Sequence, residues 1–221
     1  MFHPLSFRLD GAPVVLTVPG IDNSGPGHWQ SIWEAQRSDT RRVALGMWNK
    51  PHRNSWVTRL SQAIRGSEAP IVLCAHSLGC LAVAWWATLE GQAFGHPVAG
   101  ALLVAPPDCD HLDPADRLAG FGPTPKMALP FPSLLVASRN DPYASFEWSR
   151  ERAHYWGSEL VDAGPVGHIN AASGLGDWPD GAALLDRLIA TAVERIHHPA
   201  PVETRRSVLK SANRNRQGAT L

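Results

Sequence analysis

Cys74-Ala75-His76-Ser77-Leu78-Gly79-Cys80 joins two apolar runs of different period. Ile71-Val72-Leu73-Cys74 before it reads as a short buried strand, and Leu81-Ala82-Val83-Ala84-Trp85-Trp86-Ala87 after it reads as a buried helix. A serine at such a strand-to-helix turn is lifted clear of the sheet edge, where its Oγ can meet a substrate carbonyl. Small flanking residues let the two backbones pass closely, where a larger side chain would collide. The pattern is a nucleophile elbow, G-x-S-x-G, with Ala75 in place of the first glycine.

Outward from the elbow, apolar runs alternate with amphipathic ones. Strands are predicted at 14–18, 42–45, 71–75, 99–105, 134–137 and 159–162, and none shows strict polar alternation, as expected of strands covered on both faces. Helices are predicted at 28–36, 56–65, 80–92, 144–156 and 181–197. The last carries apolar residues at 184, 185, 188, 189, 192, 193 and 196, one stripe of a helix. This alternation predicts an α/β fold: a compact three-layer domain whose mostly parallel sheet, of about six strands, has helices on both faces. Residues 106–132 are rich in Pro, Gly and Asp, with room for a helical turn or two near 115–119. They lie where a small cap over the site would lie, and no large lid is expected.

The composition sets the outer bounds. A chain of 221 residues, 44% hydrophobic and 18% charged, fits one globular domain, expected over residues 1–198. Twenty basic and twenty acidic residues cancel, so the whole protein has no nucleic-acid or anionic-membrane footprint. The balance is uneven: from Pro199 onward Arg205, Arg206, Lys210, Arg214 and Arg216 face only Glu203, giving +4 there and −4 elsewhere. Residues 199–221 therefore read as a basic, disordered tail. The first ten residues lack the basic and apolar regions of a signal peptide, and no run approaches the ~18 apolar residues of a membrane span. Cys74, Cys80 and Cys109 are an odd count without metal-ligand spacing, and read as small core residues. A cytoplasmic protein is the expectation, with oligomeric state left open.

A serine nucleophile needs a base to take its proton and an acid to orient that base. The 134–137 strand runs into Ser138-Arg139-Asn140-Asp141-Pro142, which sets an aspartate at a strand's carboxyl end beneath a proline. The 159–162 strand leads to Gly164-Pro165-Val166-Gly167-His168-Ile169-Asn170, a histidine in a loop ahead of the final helix. The chain order Ser77, Asp141, His168 is that of α/β hydrolases. Each residue alone has a plainer reading: a chance elbow, a turn-initiating Asp-Pro and a solvated loop histidine. Three matches at strand ends in the right order favour the catalytic one. Asp108 and Asp110, after the 99–105 strand, are the runner-up acids.

The developing oxyanion needs donors. The backbone N–H of Leu78 is one, and the loop after the first strand should supply another, with Ile21 favoured because Gly20 turns the backbone under the site. Gly20 and Gly25 also match the glycines of a phosphate loop, but Pro26-Gly27 stands where Lys and Ser/Thr would be needed, so that reading is rejected. Trp33, Trp56, Trp85, Trp86, Trp148 and Trp156 read as core or helix packing, while Trp29, beside the oxyanion loop, is a candidate wall of an acyl pocket together with Gly20.

These residues carry a family resemblance. Pro19-Gly20, Ser24-Gly25-Pro26-Gly27-His28-Trp29-Gln30, Trp33-Glu34, Ala75-His76-Ser77-Leu78-Gly79-Cys80, Asn140-Asp141-Pro142 and Gly167-His168-Ile169-Asn170 resemble the retinoblastoma-binding protein 9 / YdeN-like serine hydrolases over about residues 12–195. The resemblance implies a compact α/β-hydrolase domain in which Ser77, Asp141 and His168 take the nucleophile, acid and base positions. The chain departs from the pocket-protein motif L-x-C-x-E: its one Leu-x-Cys, Leu78-Gly79-Cys80, lies in the elbow and is followed by Leu81-Ala82.

The resulting expectation is a carboxylesterase-like serine hydrolase acting on small carboxylic esters, with amides as the second class. It needs a small-molecule acyl substrate and neither cofactor nor metal. A non-catalytic interaction module on the same fold is the alternative, and a weaker one, since such a module has no need to keep all three residues. A haloperoxidase or lyase on this scaffold would use the same three.

Overall fold

A computed structural model of the protein describes residues 12–110 and 112–197. Six strands, β1 (Val14–Val18), β2 (Thr40–Arg42), β3 (Ile71–His76), β4 (Val98–Val104), β5 (Ser133–Ala137) and β6 (Glu159–Asp162), form one sheet in the order β2-β1-β3-β4-β5-β6. Every adjacent pair is parallel. Four helices lie between strands, α1 (Trp29–Gln36), α2 (Arg53–Arg65), α3 (Leu78–Leu89) and α4 (Phe146–Trp156), and α5 (Pro179–His197) follows β6.

Strand periodicity divides the core into two layers. Val15, Val72, Cys74, Leu102, Val104, Leu134 and Val136 face one side, where they meet Trp29 and Trp33 of α1 and Leu185, Leu188 and Ala192 of α5. The alternate residues Leu16, Val18, Leu73, Ala75, Ala101, Leu103 and Leu135 face the other, packed against α2, α3 and α4. Each strand of the middle sheet is thus buried on both faces, which is why its sequence is apolar without alternation. α3 is buried along nearly its whole length, and its apolar sequence has no polar face.

Helix ends shift by up to three residues, α2 starting at Arg53 and α3 ending at Leu89, and two predicted elements differ more. The second strand is Thr40–Arg42 rather than 42–45. Its polar residues suffice because it is an edge strand paired only with β1, whereas Val43 and Leu45 are buried just beyond its last paired residue, Arg42. Among its described residues the 106–132 segment has one 3-10 turn, at Ala119–Phe121, later than predicted and anchored by the buried Phe121. The basic tail at 199–221 lies outside the described residues. Among the described residues no helix is long and apolar enough to cross a membrane.

The strand order reverses between β1 and β3, since β2 lies beyond one and β4 beyond the other. The loops leaving the carboxyl ends of these two strands diverge there and open a crevice, the usual ligand position in an open parallel sheet. Gly20, Ile21 and Ser77 all stand at that point.

Candidate active site

Ser77 connects β3 directly to α3 with φ 54° and ψ −129°, a conformation in which a non-glycine residue is strained by ~1–3 kcal/mol. The neighbouring glycines make the turn possible. A Cβ on Gly79 would lie 2.2 Å from the carbonyl oxygen of Val18, and one on Gly20 would lie 2.8 Å from the Cβ of Ser77. Ala75, where the pattern has glycine, is fully buried in the core, and its methyl has room there.

His168 Nε2 is 2.9 Å from Ser77 Oγ, and His168 Nδ1 is 2.9 Å from both carboxylate oxygens of Asp141. Three residues from three strand ends thus make one hydrogen-bonded relay. The Asp141 side chain is only 4% exposed, and its Oδ1 also accepts the N–H of Tyr143. Asp108 and Asp110 serve turns instead: Asp108 Oδ1 accepts the N–H of Asp110, and Asp110 Oδ1 accepts that of Thr124.

The loops that hold the relay are laced together. Asn140 Oδ1 accepts the N–H of Gly167 and the hydroxyl of Ser138, whose oxygen accepts the N–H of Val166. His76 Nε2 lies 2.9 Å from the carbonyl of His168, and Trp29 Nε1–H donates to the carbonyl of Ile169 at 2.8 Å. The T-shaped ring of Tyr143 packs on His168 with centroids 4.5 Å apart. Gln30, fully buried, accepts from Ser24 and donates to the Cys74 carbonyl, tying the loop after β1 to β3. Its role explains why glutamine ends the Ser24–Gln30 motif.

A cavity of about 340 Å³ opens above Ser77. The loop after β1 lines it with Ile21, Asp22, Asn23 and His28, the 106–132 segment with Asp116, Arg117 and Leu118, and Tyr143, His168 and Asn170 complete the lining. Residues 106–132 therefore reach the site, and Arg117 pairs with Asp22 across the opening through both guanidinium nitrogens, at 3.1 and 2.8 Å. Asp22 and Asn23 have φ of 59° and 64°, a sharp loop braced by Arg42, which donates to Asn23 Oδ1 and the Ser24 carbonyl.

Ile21, predicted as an oxyanion donor, lines the cavity, and Gly20, predicted as a pocket residue, abuts Ser77. Trp29 requires correction. Its indole is buried in the layer between the sheet and α5, in contact with Trp33 and Trp178, and the preceding residue, His28, forms the wall. His28, Tyr143 and Arg117 are site residues that sequence reasoning missed. They belong to no short motif for chemistry, though His28 lies within the quoted Ser24–Gln30 segment.

Electrostatically the site keeps its other imidazoles neutral. Burial, aided by the positive charge of Arg42 and by His168, lowers His28 from 6.5 to about 4. Burial likewise holds His76 well below the ordinary imidazole value. It raises all three thiols, Cys109 to about 12, so they remain protonated core groups. Among the described residues no group of three or more His, Cys, Asp or Glu side chains is placed to hold a metal ion.

The sequence matches the model of the serine hydrolase family over residues 15–187. The chain belongs to the serine hydrolase family. Among solved structures, this serine hydrolase is similar to a YdeN-like hydrolase from Pectobacterium atrosepticum, at 31% identity over 84% of this chain and 94% of that one, with a TM-score of 0.70. It is also similar to the ydeN gene product of B. subtilis, at 18% identity over 80% of this chain and 99% of that one, TM-score 0.62. Est1E from Butyrivibrio proteoclasticus, with ferulic acid bound, shares the fold at 14% identity over 87% and 92% of the two chains, TM-score 0.57. None of the curated proteins compared matches the chain. The YdeN-like resemblance read from the motifs thus holds for the family. Leu78 and Cys80, the nearest approach to a pocket-protein motif, are fully buried in this hydrolase.

Proposed function

We propose that this serine hydrolase cleaves small carboxylic esters, with amides as the second class, through an acyl-enzyme on Ser77. The observation that carries the reading is the continuous relay from Ser77 Oγ through His168 to Asp141, each step at 2.9 Å, at the floor of a cavity.

His168 Nε2 accepts the Ser77 proton as Oγ attacks the carbonyl carbon, and Asp141 orients the ring and stabilises the imidazolium that forms. The carbonyl oxygen becomes an oxyanion. Leu78 is the first residue of α3, so its N–H has no carbonyl within the helix to bond and is free to donate. Ile21 N–H is the second donor, since the next two amides are committed, Asp22 to the Trp48 carbonyl and Asn23 to that of Gly20. Collapse of the intermediate expels the alcohol, which takes the proton from His168. A water then gives its proton to His168 and attacks the acyl carbon; as the C–Oγ bond breaks, His168 returns that proton to Ser77 Oγ and the carboxylic acid is released.

Hydrolysis of p-nitrophenyl acetate tests the reading. Ser77→Ala is expected to lower kcat by ~10⁴–10⁶. Turnover that survives this substitution would sink the assignment.

A further inference from the structure

His28 is an uncommon residue at a helix start, where Ser, Thr, Asp or Asn usually supplies an oxygen. Here Nδ1 does that work, accepting the N–H of Gln30 at 3.2 Å as the N-cap of α1. A nitrogen that accepts carries no proton, so a neutral ring must hold its one hydrogen on Nε2. With its pKa lowered to about 4, the ring is neutral at pH 7.

That Nε2–H has no hydrogen-bond partner among the described residues, although the side chain is only 4% exposed. A buried donor left unmade costs ~1–3 kcal/mol, and native interiors seldom carry one without a reason. The neighbouring ring of His76, 4.6 Å away, lends its own Nε2 to the carbonyl of His168. His28 also lines the cavity over Ser77. The direction of the substrate follows from the mechanism: the leaving oxygen must face His168, and the oxyanion must face Leu78 and Ile21. The acyl chain takes the rest of the cavity, whose lining includes His28.

We propose that His28 is a specificity-determining residue whose Nε2–H donates to an acceptor oxygen in the acyl group, selecting oxygen-bearing acyl esters, alkoxy- or hydroxyacyl, over aliphatic ones of equal size. The inference rests on the ester-hydrolase reading. It assigns the imidazole the part of a neutral donor held at a helix N-terminus, with its tautomer set by the cap.

The test uses two pairs of p-nitrophenyl esters in which one CH₂ is exchanged for oxygen: butyrate with methoxyacetate, and valerate with 3-methoxypropionate. Dividing the ether-to-alkyl kcat/KM ratio of a variant by that of the wild type cancels the intrinsic reactivity of each ester. His28→Asn keeps an acceptor for the Gln30 N–H but has no donor where Nε2 stood, and His28→Gln restores a donor there. In H28N the ratio is expected to fall about tenfold for at least one pair. In H28Q it should return to within about threefold of the wild type. His28→Ser, which also caps a helix, replaces H28N should that variant not fold. A ratio unchanged in both pairs, or an equal loss for ether and alkyl esters, would overturn the proposal. Failure of the reading beneath it looks different: the wild type would then show no Ser77-dependent turnover of any of the four esters.

Discussion

At Ser77 the chain accepts a backbone conformation that few side chains tolerate, and the cost is met by residues that have almost no side chain. Gly79 is the sharper constraint, because its α-carbon faces the carbonyl oxygens of Val18 and Pro19 with no room for a methyl group. Gly79→Ala is therefore expected to destabilise the fold by about 3 kcal/mol or more, read as a lower urea midpoint or loss of soluble protein. Gly79→Ala with wild-type stability would contradict the close crossing of α3 over β1. Asp141→Asn tests the relay at the same scale. It preserves the shape of the site while removing the charge that holds the His168 tautomer, and kcat is expected to fall up to about 10⁴-fold. Ser77, Asp141 and His168 were legible in the sequence because each sits at a strand end marked by glycine or proline. His28 was not, because what distinguishes it is an unpaired buried nitrogen beside the ring of His76 on β3, which is distant in sequence.

Among the elements, the sheet and its helices follow from apolar runs that tertiary packing then confirms, and the exceptions are instructive. Val43 and Leu45 imitate a strand in sequence yet are core residues of a loop, while the true edge strand Thr40–Arg42 is polar. Trp29 looked like a pocket wall because it adjoins the oxyanion loop. As the first residue of α1 it packs instead into the core beside Trp33 and Trp178, and the N-cap His28 lines the cavity. The 106–132 segment was compositionally a loop, and only the fold reveals that Arg117 brings it to Asp22. That pair is half-exposed, at 51% and 53%, so it should add little to stability. Arg117→Ala is expected to change the unfolding free energy by less than about 1 kcal/mol in urea titrations. A larger loss would mean that this contact anchors the segment over the site.

Across the whole molecule, the neutral histidines lining the cavity tie stability to pH. His28 titrates near 4 in the fold but near 6.5 when unfolded, and burial shifts His76 in the same direction. Between those values the unfolded chain binds more protons than the folded one, so stability falls as pH drops from about 6.5 toward 4. His28 alone contributes up to about 3 kcal/mol to that loss, and nothing further once both states are protonated. Urea midpoints measured from about pH 7.5 down to 4.5 should decline through this window, and less steeply in His28→Asn. A flat profile would contradict the burial of these rings.

The central claim, a serine nucleophile made reactive by the histidine and aspartate beside it, meets its most direct test in covalent labelling of the folded protein by a fluorophosphonate. The phosphonyl group should transfer to Ser77 Oγ with loss of fluoride. Intact mass should then show one adduct, peptide mapping should locate it at Ser77, and His168→Ala should slow its formation severely. Folded wild-type protein that takes up no label, or takes it on another residue, would contradict the account.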